Sequence, residues 1–342
     1  LTNTLMMTSL SLDTAITATS HHWLLAWLGL EINAMAMTTI IAKPHHPRAA
    51  EAATKYFLTQ ATAATLIMFA ATLTAWHTGQ WDITQLTHPA APTILTLAIA
   101  MKLGMAPAHF WYPEVLQGAT LSTALLLSTW QKLAPTALLF MSLHQLPTNT
   151  LLTLSLTSAL LGGWAGLNQV QVRKIMAFSS IAHMGWLVAA MTAGKPLATL
   201  TLATYLVMTS TIFTLLITTM TKTLTDLSTL WTTSPPLLST TMLALLSLGG
   251  LPPLTGFMPK WLIVNTLSMN LAPISTALVM ASLPSLFFYT RLAYTTTLTA
   301  PPTTATMTHK WRLPKPPTTL QTTTLLGTML LLPTTHLLTT AL

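Results

Sequence analysis

A lysine and two helix-weakening residues fall inside one apolar run, and no other feature restricts the fold as tightly. The run is Thr93–Trp111, which reads as a membrane-spanning helix apart from Lys102, Gly104 and Pro107. A charge at bilayer depth costs at least ~2.5–3.5 kcal/mol on insertion scales. Glycine loosens a helix and proline removes a backbone donor. Broken backbone at that depth survives only where protein or a water-lined cavity covers it. The run therefore predicts a buried polar path. A second interruption, GlyGlyLeuProProLeuThrGly, spans Gly249 to Gly256 and is followed by Pro259 and Lys260. No helix passes through it intact.

The remainder of the chain suits lipid. Only 6% of its 342 residues are charged and 51% are hydrophobic, against about 25% charged in soluble domains. This composition predicts an all-α polytopic membrane protein. The formal charge of +8 does not indicate nucleic-acid binding, because the basic residues are scattered over loops. Cysteine is absent, which excludes disulfides, thiolate-held iron–sulfur clusters and cysteine zinc sites. No cleavable signal peptide is recognisable.

Eleven spans can be drawn, roughly 1–19, 22–42, 50–76, 91–116, 119–144, 149–167, 172–192, 196–220, 236–269, 272–297 and 319–340. Trp23, Trp76, Trp81, Trp164, Trp231 and Trp311 fall near predicted ends, as an interfacial belt requires. The even-numbered loops and their flanks hold Lys43, Arg48, Arg173, Lys174, Lys222, Lys310, Arg312 and Lys315, while the odd loops hold only Lys195. The positive-inside rule then puts the N-terminus and the even loops on the cytoplasmic or matrix side, and the C-terminus opposite.

The interruptions fall in the fourth and ninth spans, each the fourth of five. An odd repeat length reverses orientation, so the chain divides into a first five-helix repeat (1–145) and an inverted second repeat (146–297). A loop and a C-terminal helix (298–342) follow. Matching interruptions in two halves point to a transport site. Glu31 and His183 occupy the second span of each half. Lys132, midway along the fifth span, is read as having no titratable partner in the tenth.

Glu31 lies about ten residues from either end of its span, or ~15 Å from each surface, too far for a glutamate to reach water by extending. Intramembrane acids and lysines are functional candidates by default, with a structural ion pair as the competing reading. Lys102, Lys132 and Lys260 stand in the same position. A buried lysine balanced against a nearby carboxylate can gain or lose a proton near neutral pH, which is what a proton relay needs. His183 reads either as a relay or as a packing residue. Ser179 and Ser180 read as interhelical hydrogen-bond donors. Glu51 and Lys55 read as an i, i+4 pair at the membrane edge, and Glu114 as an interface residue. His45 and His46 read as loop residues, since no further ligands lie at metal spacing.

Several stretches together resemble one family: His22–Asn33, His45–Gln60, Lys102–Trp111, Gly162–Gly185 and Gly250–Trp261. The resemblance is to the chain 2 family of mitochondrial NADH–ubiquinone oxidoreductase, antiporter-like subunits in the membrane arm of respiratory complex I related to Mrp antiporters. It covers the whole chain. It implies two inverted five-helix repeats, each with a broken helix, and eleven helices where bacterial relatives have fourteen. It implies that Glu31 and Lys102 form a modulating pair, that Lys132 is the central proton relay, and that Lys260 is the charge at the second break. It also implies that flavin, clusters and the ubiquinone site belong to other subunits, with no cofactor or metal in this chain. The implied partners are neighbouring membrane-arm subunits and lipid, in the mitochondrial inner membrane. Two other classes stay open at this stage: a stand-alone cation/proton antiporter, and a purely structural subunit with vestigial charges.

Overall fold

The computed structural model describes residues 2–227, 235–297, 322 and 325–328. All regular structure among these residues is helical, apart from two isolated β-bridges. The chain divides into two compact units, Leu1–Ser158 and Ala159–Leu342.

The first unit begins with α1 (Thr2–Thr19), α2 (Trp23–Ala42) and α3 (Pro47–Thr78). The fourth predicted span is split into α4 (Ala91–Leu103) and α5 (Trp111–Gly118). The fifth stretch, read from sequence as one helix, is also split. It comprises α6 (Leu121–Ser128), a 3-10 turn (Trp130–Lys132) and α7 (Leu133–Ser142). Pro135 is the physical reason: it has no N–H to offer the Gln131 carbonyl and its ring crowds that turn. Lys132 therefore sits at a join and not in the middle of a straight helix.

In the second unit lie α9 (Val172–Ala193), α10 (Lys195–Thr219), α11 (Pro235–Gly249), α12 (Phe257–Asn270) and α13 (Ala272–Thr297). Helix α8 (Thr148–Gly166) contains the boundary between units. Five described helices are long and apolar enough to cross a membrane: α2, α3, α9, α10 and α13. The two shorter apolar helices, Ala91–Leu103 and Leu237–Gly249, are the upstream halves of the interrupted spans. At 13 residues α4 is only ~20 Å long, short of a ~30 Å hydrocarbon core.

Each unit ties the loop after its third helix to the start of its second. In the first, Trp23 donates to Trp81 O at 3.0 Å and Ile83 to His21 O at 3.1 Å. In the second, Val172 donates to Lys222 O at 3.1 Å and Leu224 to Val170 O at 3.3 Å. An aspartate stiffens each loop. Asp82 accepts from the Thr84 amide and hydroxyl, and Asp226 accepts from the Lys222 and Thr223 amides. The Thr84 bonds hold the Asp82 carboxyl below the usual carboxylate range. Burial opposes ionisation of Asp226, yet the amide bonds outweigh it and its pKa is also lowered.

Helices approach closely where glycine leaves room. A Cβ on Gly29 would stand 3.1 Å from the Asp13 carbonyl of α1, and one on Gly162 would stand 2.6 Å from the Ala182 amide of α9. Most threonine and serine hydroxyls bond back to a carbonyl three or four residues earlier, as Thr74 does to Ala71 and Thr211 to Met208. Ser179 and Ser180, read from sequence as interhelical donors, donate within α9 to Met176 and Ala177, and Ser179 also interacts with the Tyr289 hydroxyl of α13. Such back-bonding satisfies the hydroxyl within its own helix.

Two further expectations change. Trp23, assigned to the interfacial belt, is 1% exposed and its amide bonds to Trp81 O, whereas Trp76 is 89% exposed. The tenth stretch carries a cation after all. Near the end of α13, Arg291 donates to the Leu167 and Gln169 carbonyls. Trp231, Trp311, the Pro301–Pro317 loop and most of the eleventh predicted span lie outside the described residues.

Candidate functional site

Each interrupted span stops in the same way. At the first break Gly104 is left-handed (φ 70), its amide donates to Met101 O, and the Met105 amide reaches back to Ala100 O. At the second break Gly250 is left-handed (φ 85), its amide donates to Ser247 O, and the Leu251 amide reaches back to Leu246 O. Both are Schellman turns, which need an αL residue that glycine supplies without a Cβ penalty. They leave further carbonyls at the negative end of a helix dipole, inside the protein and without a helical partner.

Cations take up the last of those carbonyls. At the first break the Lys132 ammonium donates to Leu103 O and stands 4.2 Å from the centre of the Tyr112 ring. Trp111 Nε1 donates to Met101 O at 3.2 Å. At the second break Lys260 Nζ donates to Gly249 O at 3.0 Å, with the Trp186 ring 5.9 Å away. His183 hydrogen-bonds to the Leu248 backbone and lies close enough to Lys260 for a coulombic interaction. It also stands 5.6 Å from the Tyr205 ring, centre to centre. Leu103 and Gly249 are equivalent positions, each immediately before the turning glycine.

Lys102 points elsewhere. Its ammonium lies 3.5 Å from the Gln60 carbonyl of α3, and the residue is 6% exposed. Lys102 and Lys132 nevertheless share one cavity of about 20 Å³, lined also by Asn33, Tyr56, Gln60 and Gln131. A cavity needs roughly 10–15 Å³ to hold a water, so there is room for one beside these two lysines. Gln131 Nε2 donates to Asn33 Oδ1 at 2.8 Å, fixing one wall.

Glu31 is brought near this cluster but not into contact with it. It interacts electrostatically with Lys102 and with Tyr56, yet the only ion pairs among the described residues are at Lys55. The expected direct Glu31–Lys102 pair is thus corrected to a longer-range interaction. Glu31 Oε2 is buried and has no hydrogen-bond partner. Lys55 bridges Glu51 at 2.6 Å and Glu114 at 2.5 Å, so Glu114 ties α5 to α3. His46 caps α3, its Nδ1 accepting from the Arg48 amide at 3.2 Å. Among the described residues no group of three or more His, Cys, Asp or Glu side chains could hold a metal.

Several members of this site were not singled out in the sequence. Gln60 contributes a backbone carbonyl, which no residue type announces. Asn33 and Gln131 flank candidates already named, and their i+2 and i−1 positions beside Glu31 and Lys132 were the available signal. His109, buried in the first break, bonds through Nδ1 to the Pro107 carbonyl at 3.2 Å.

Comparison with known proteins fits this geometry. Residues 20–286 match the family described as NADH:quinone oxidoreductase/Mrp antiporter, TM, and residues 286–339 match NADH dehydrogenase subunit 2 C-terminus. NADH-ubiquinone oxidoreductase chain 2 of Oncorhynchus mykiss is 55% identical over 91% of this chain and 89% of its own length. That of Carassius auratus is 54% identical over 90% and 89%. A chain of respiratory complex I from Thermus thermophilus, solved with bound aureothin, superposes with a TM-score of 0.87 at 26% identity. It covers 98% of this chain and 79% of that one. A chain of the Mrp complex from Dietzia sp. shares the fold at a TM-score of 0.76 and 16% identity, over 85% and 60%.

Proposed function

We propose, for a chain that belongs to the NADH–ubiquinone oxidoreductase chain 2 family, that Lys102 and Lys132 and the water-sized cavity they both line carry protons through the membrane arm. The chain is a membrane-arm subunit of respiratory complex I, of the proton-pumping antiporter-like family. It is a multi-pass membrane protein, its partners are other subunits of that complex, and its mitochondrial relatives imply the inner membrane.

One observation carries the relay: two buried lysines from different helices line a single polar cavity beside a broken helix. A proton held by one ammonium can pass through a water to the other amine. Lys132 is the central site, because its ammonium sits on the helix-end carbonyl of Leu103. Glu31 modulates Lys102 from a distance. Lys260, joined by His183 at the Leu248–Gly249 end of α11, passes protons on from the second unit. The oxidation of NADH and reduction of ubiquinone belong to other subunits, as do flavin and clusters.

The same reading takes the chain as eleven spans with two five-helix repeats. The matching Schellman turns and loop–helix bridges support a repeat, and the odd span number supports opposite orientation. Loop charge supports an N-terminus and a Lys43–Arg48 loop on the matrix side, with the C-terminus on the intermembrane side.

The test is proton translocation per NADH oxidised by the intact complex in vesicles. Lys132→Met should assemble and lower the proton-to-electron ratio. An assembled Lys132→Met complex with an unchanged ratio would remove this lysine from the relay.

A further inference from the structure

The second break is tied to a distant part of the chain. Thr255, two residues before α12, is 2% exposed, and its hydroxyl donates to the Thr328 carbonyl at 2.7 Å. Thr328 ends the helical stretch described at 325–328, which lies outside both five-helix repeats, and it is fully buried. Neither group can exchange this bond for water.

A threonine next to a helix has two ordinary uses for its hydroxyl. It can cap the helix that follows, accepting from an amide two or three residues on, or bond back to a carbonyl three or four residues earlier. Thr255 does neither, and its hydroxyl reaches a segment 73 residues away. The repeat supplies a control. Five residues after the turning glycine stands Thr255 in the second break and His109 in the first. His109 bonds to Pro107 O, within its own loop. At this position, then, one break bonds to itself and the other to a separate segment.

The residues after Thr255 lead directly to Lys260. A Cβ on Gly256 would run into the Ser247 carbonyl, so this backbone lies hard against the last turn of α11. The Phe257 and Met258 amides donate to the Leu254 and Thr255 carbonyls, each at 3.2 Å. One turn on from Gly256, Lys260 donates to Gly249 O at 3.0 Å. The start of α12 is held by α11 and by the Thr328 carbonyl, and Lys260 takes its place from both.

We propose that the C-terminal segment clamps the second break through this bond, and that Thr255 is a positioning residue that keeps the Lys260 ammonium on the Gly249 carbonyl. The hydroxyl transfers no proton, because it remains a donor to an amide carbonyl. Its part in pumping rests on the proposed relay; the placement of Lys260 does not.

Thr255→Ala and Thr255→Ser both delete the methyl group and differ only in the hydroxyl. The experiment builds each into the intact complex and compares density maps of the second break. In Thr255→Ser, Lys260 Nζ should stay within hydrogen-bond distance of Gly249 O. In Thr255→Ala it should leave, and exchange of the Phe257 and Met258 amides should rise roughly three- to tenfold, the scale of one lost hydrogen bond. The proton-to-electron ratio should fall in Thr255→Ala, no further than in Lys260→Met, and recover in Thr255→Ser. Lys260 still on Gly249 O in assembled Thr255→Ala would overturn the proposal, as would a wild-type map in which Thr255 bonds to another group. If Thr255→Ala does not assemble, Thr255→Val keeps the volume and carries the same test. Failure of both beside an assembled Thr255→Ser would make the bond a folding contact and overturn the positioning role. If Lys260 moves in Thr255→Ala while Lys260→Met pumps normally, the relay assignment of Lys260 fails and the clamp stands.

Discussion

At the first break the carbonyl before the turning glycine, that of Leu103, takes its cation from the following span. At the second the equivalent carbonyl, that of Gly249, takes it from eleven residues further along the same interrupted helix. The first arrangement joins two elements at one cavity, because Lys102 enters from α4 while Lys132 enters from the 3-10 turn before α7. In the second, the lysine closes its own break, and a histidine from α9 assists. A cation shared between helices can change partners, whereas one that staples its own helix has fewer choices. On the proposed reading, this difference makes the first break the place for a relay and the second the place for a fixed terminus.

The most damaging way to probe the contrast is to remove both cations in parallel. Lys132→Met should abolish most of this subunit's pumping, whereas Lys260→Met should reduce it less. Each leaves a buried carbonyl unsatisfied, worth about 1–3 kcal/mol of stability. Equal ratios of protons to electrons in the two variants would erase the distinction. Next come the glycines. A Cβ on Gly256 would run into the Ser247 carbonyl, while one on Gly104 would meet the Tyr112 Cβ at 3.2 Å. Gly256→Ala should cost about 3 kcal/mol or more through overpacking, and Gly104→Ala about 1–2 kcal/mol for its left-handed backbone. Thermal midpoints of the purified complex would rank them, and the reverse order would show the second break to be the looser.

A smaller effect is expected at Glu31. Breaking a contact ion pair in a protein interior costs ~3–5 kcal/mol, but Glu31 makes no such contact. Glu31→Gln should therefore assemble nearly as well as the parent while pumping falls. An assembly defect as large as that of Gly256→Ala would imply a direct pair with Lys102. The smallest effect concerns the two bridged loops. Asp82 and Asp226 both have pKa values lowered in the folded protein. Their contribution is therefore present above the ordinary carboxylate range and lost as pH falls through the lowered values. Amide-exchange protection at 82–84 and 222–226 should hold from neutral pH down to about 4 and then decline. It should be weaker and flat with pH in Asp82→Asn at the first loop only.

Much of this was legible in the residues. Lys102, Gly104 and Pro107 within one apolar run announced a buried break, and Gly250 with its two following prolines announced the other. Lys132 was legible as a buried charge, but the 3-10 turn that aims it was not read, although Pro135 stood three residues away. The partner of Lys102 was misjudged for a deeper reason. A sequence shows carboxylates, and so Glu31 was the obvious choice. It does not show which main-chain oxygens a broken helix releases, and two of the three lysines found their acceptors there. Trp23 failed in the same way, since nearness to a helix end does not say whether the fold buries it.

The threonine hydroxyls that bond back into their own helices have a consequence for how such chains diverge. A threonine satisfied in this way presents lipid and neighbours with a methyl group and a concealed oxygen. Exchange with alanine, valine or isoleucine alters little that a neighbouring helix can sense. Nearly half the positions differ from the Oncorhynchus chain, and replacements of this kind can accumulate as silent drift. A hydroxyl, carboxyl or indole that its own helix does not satisfy has no such cover. In this chain, the polar atoms left without a local bond are the letters that selection can read.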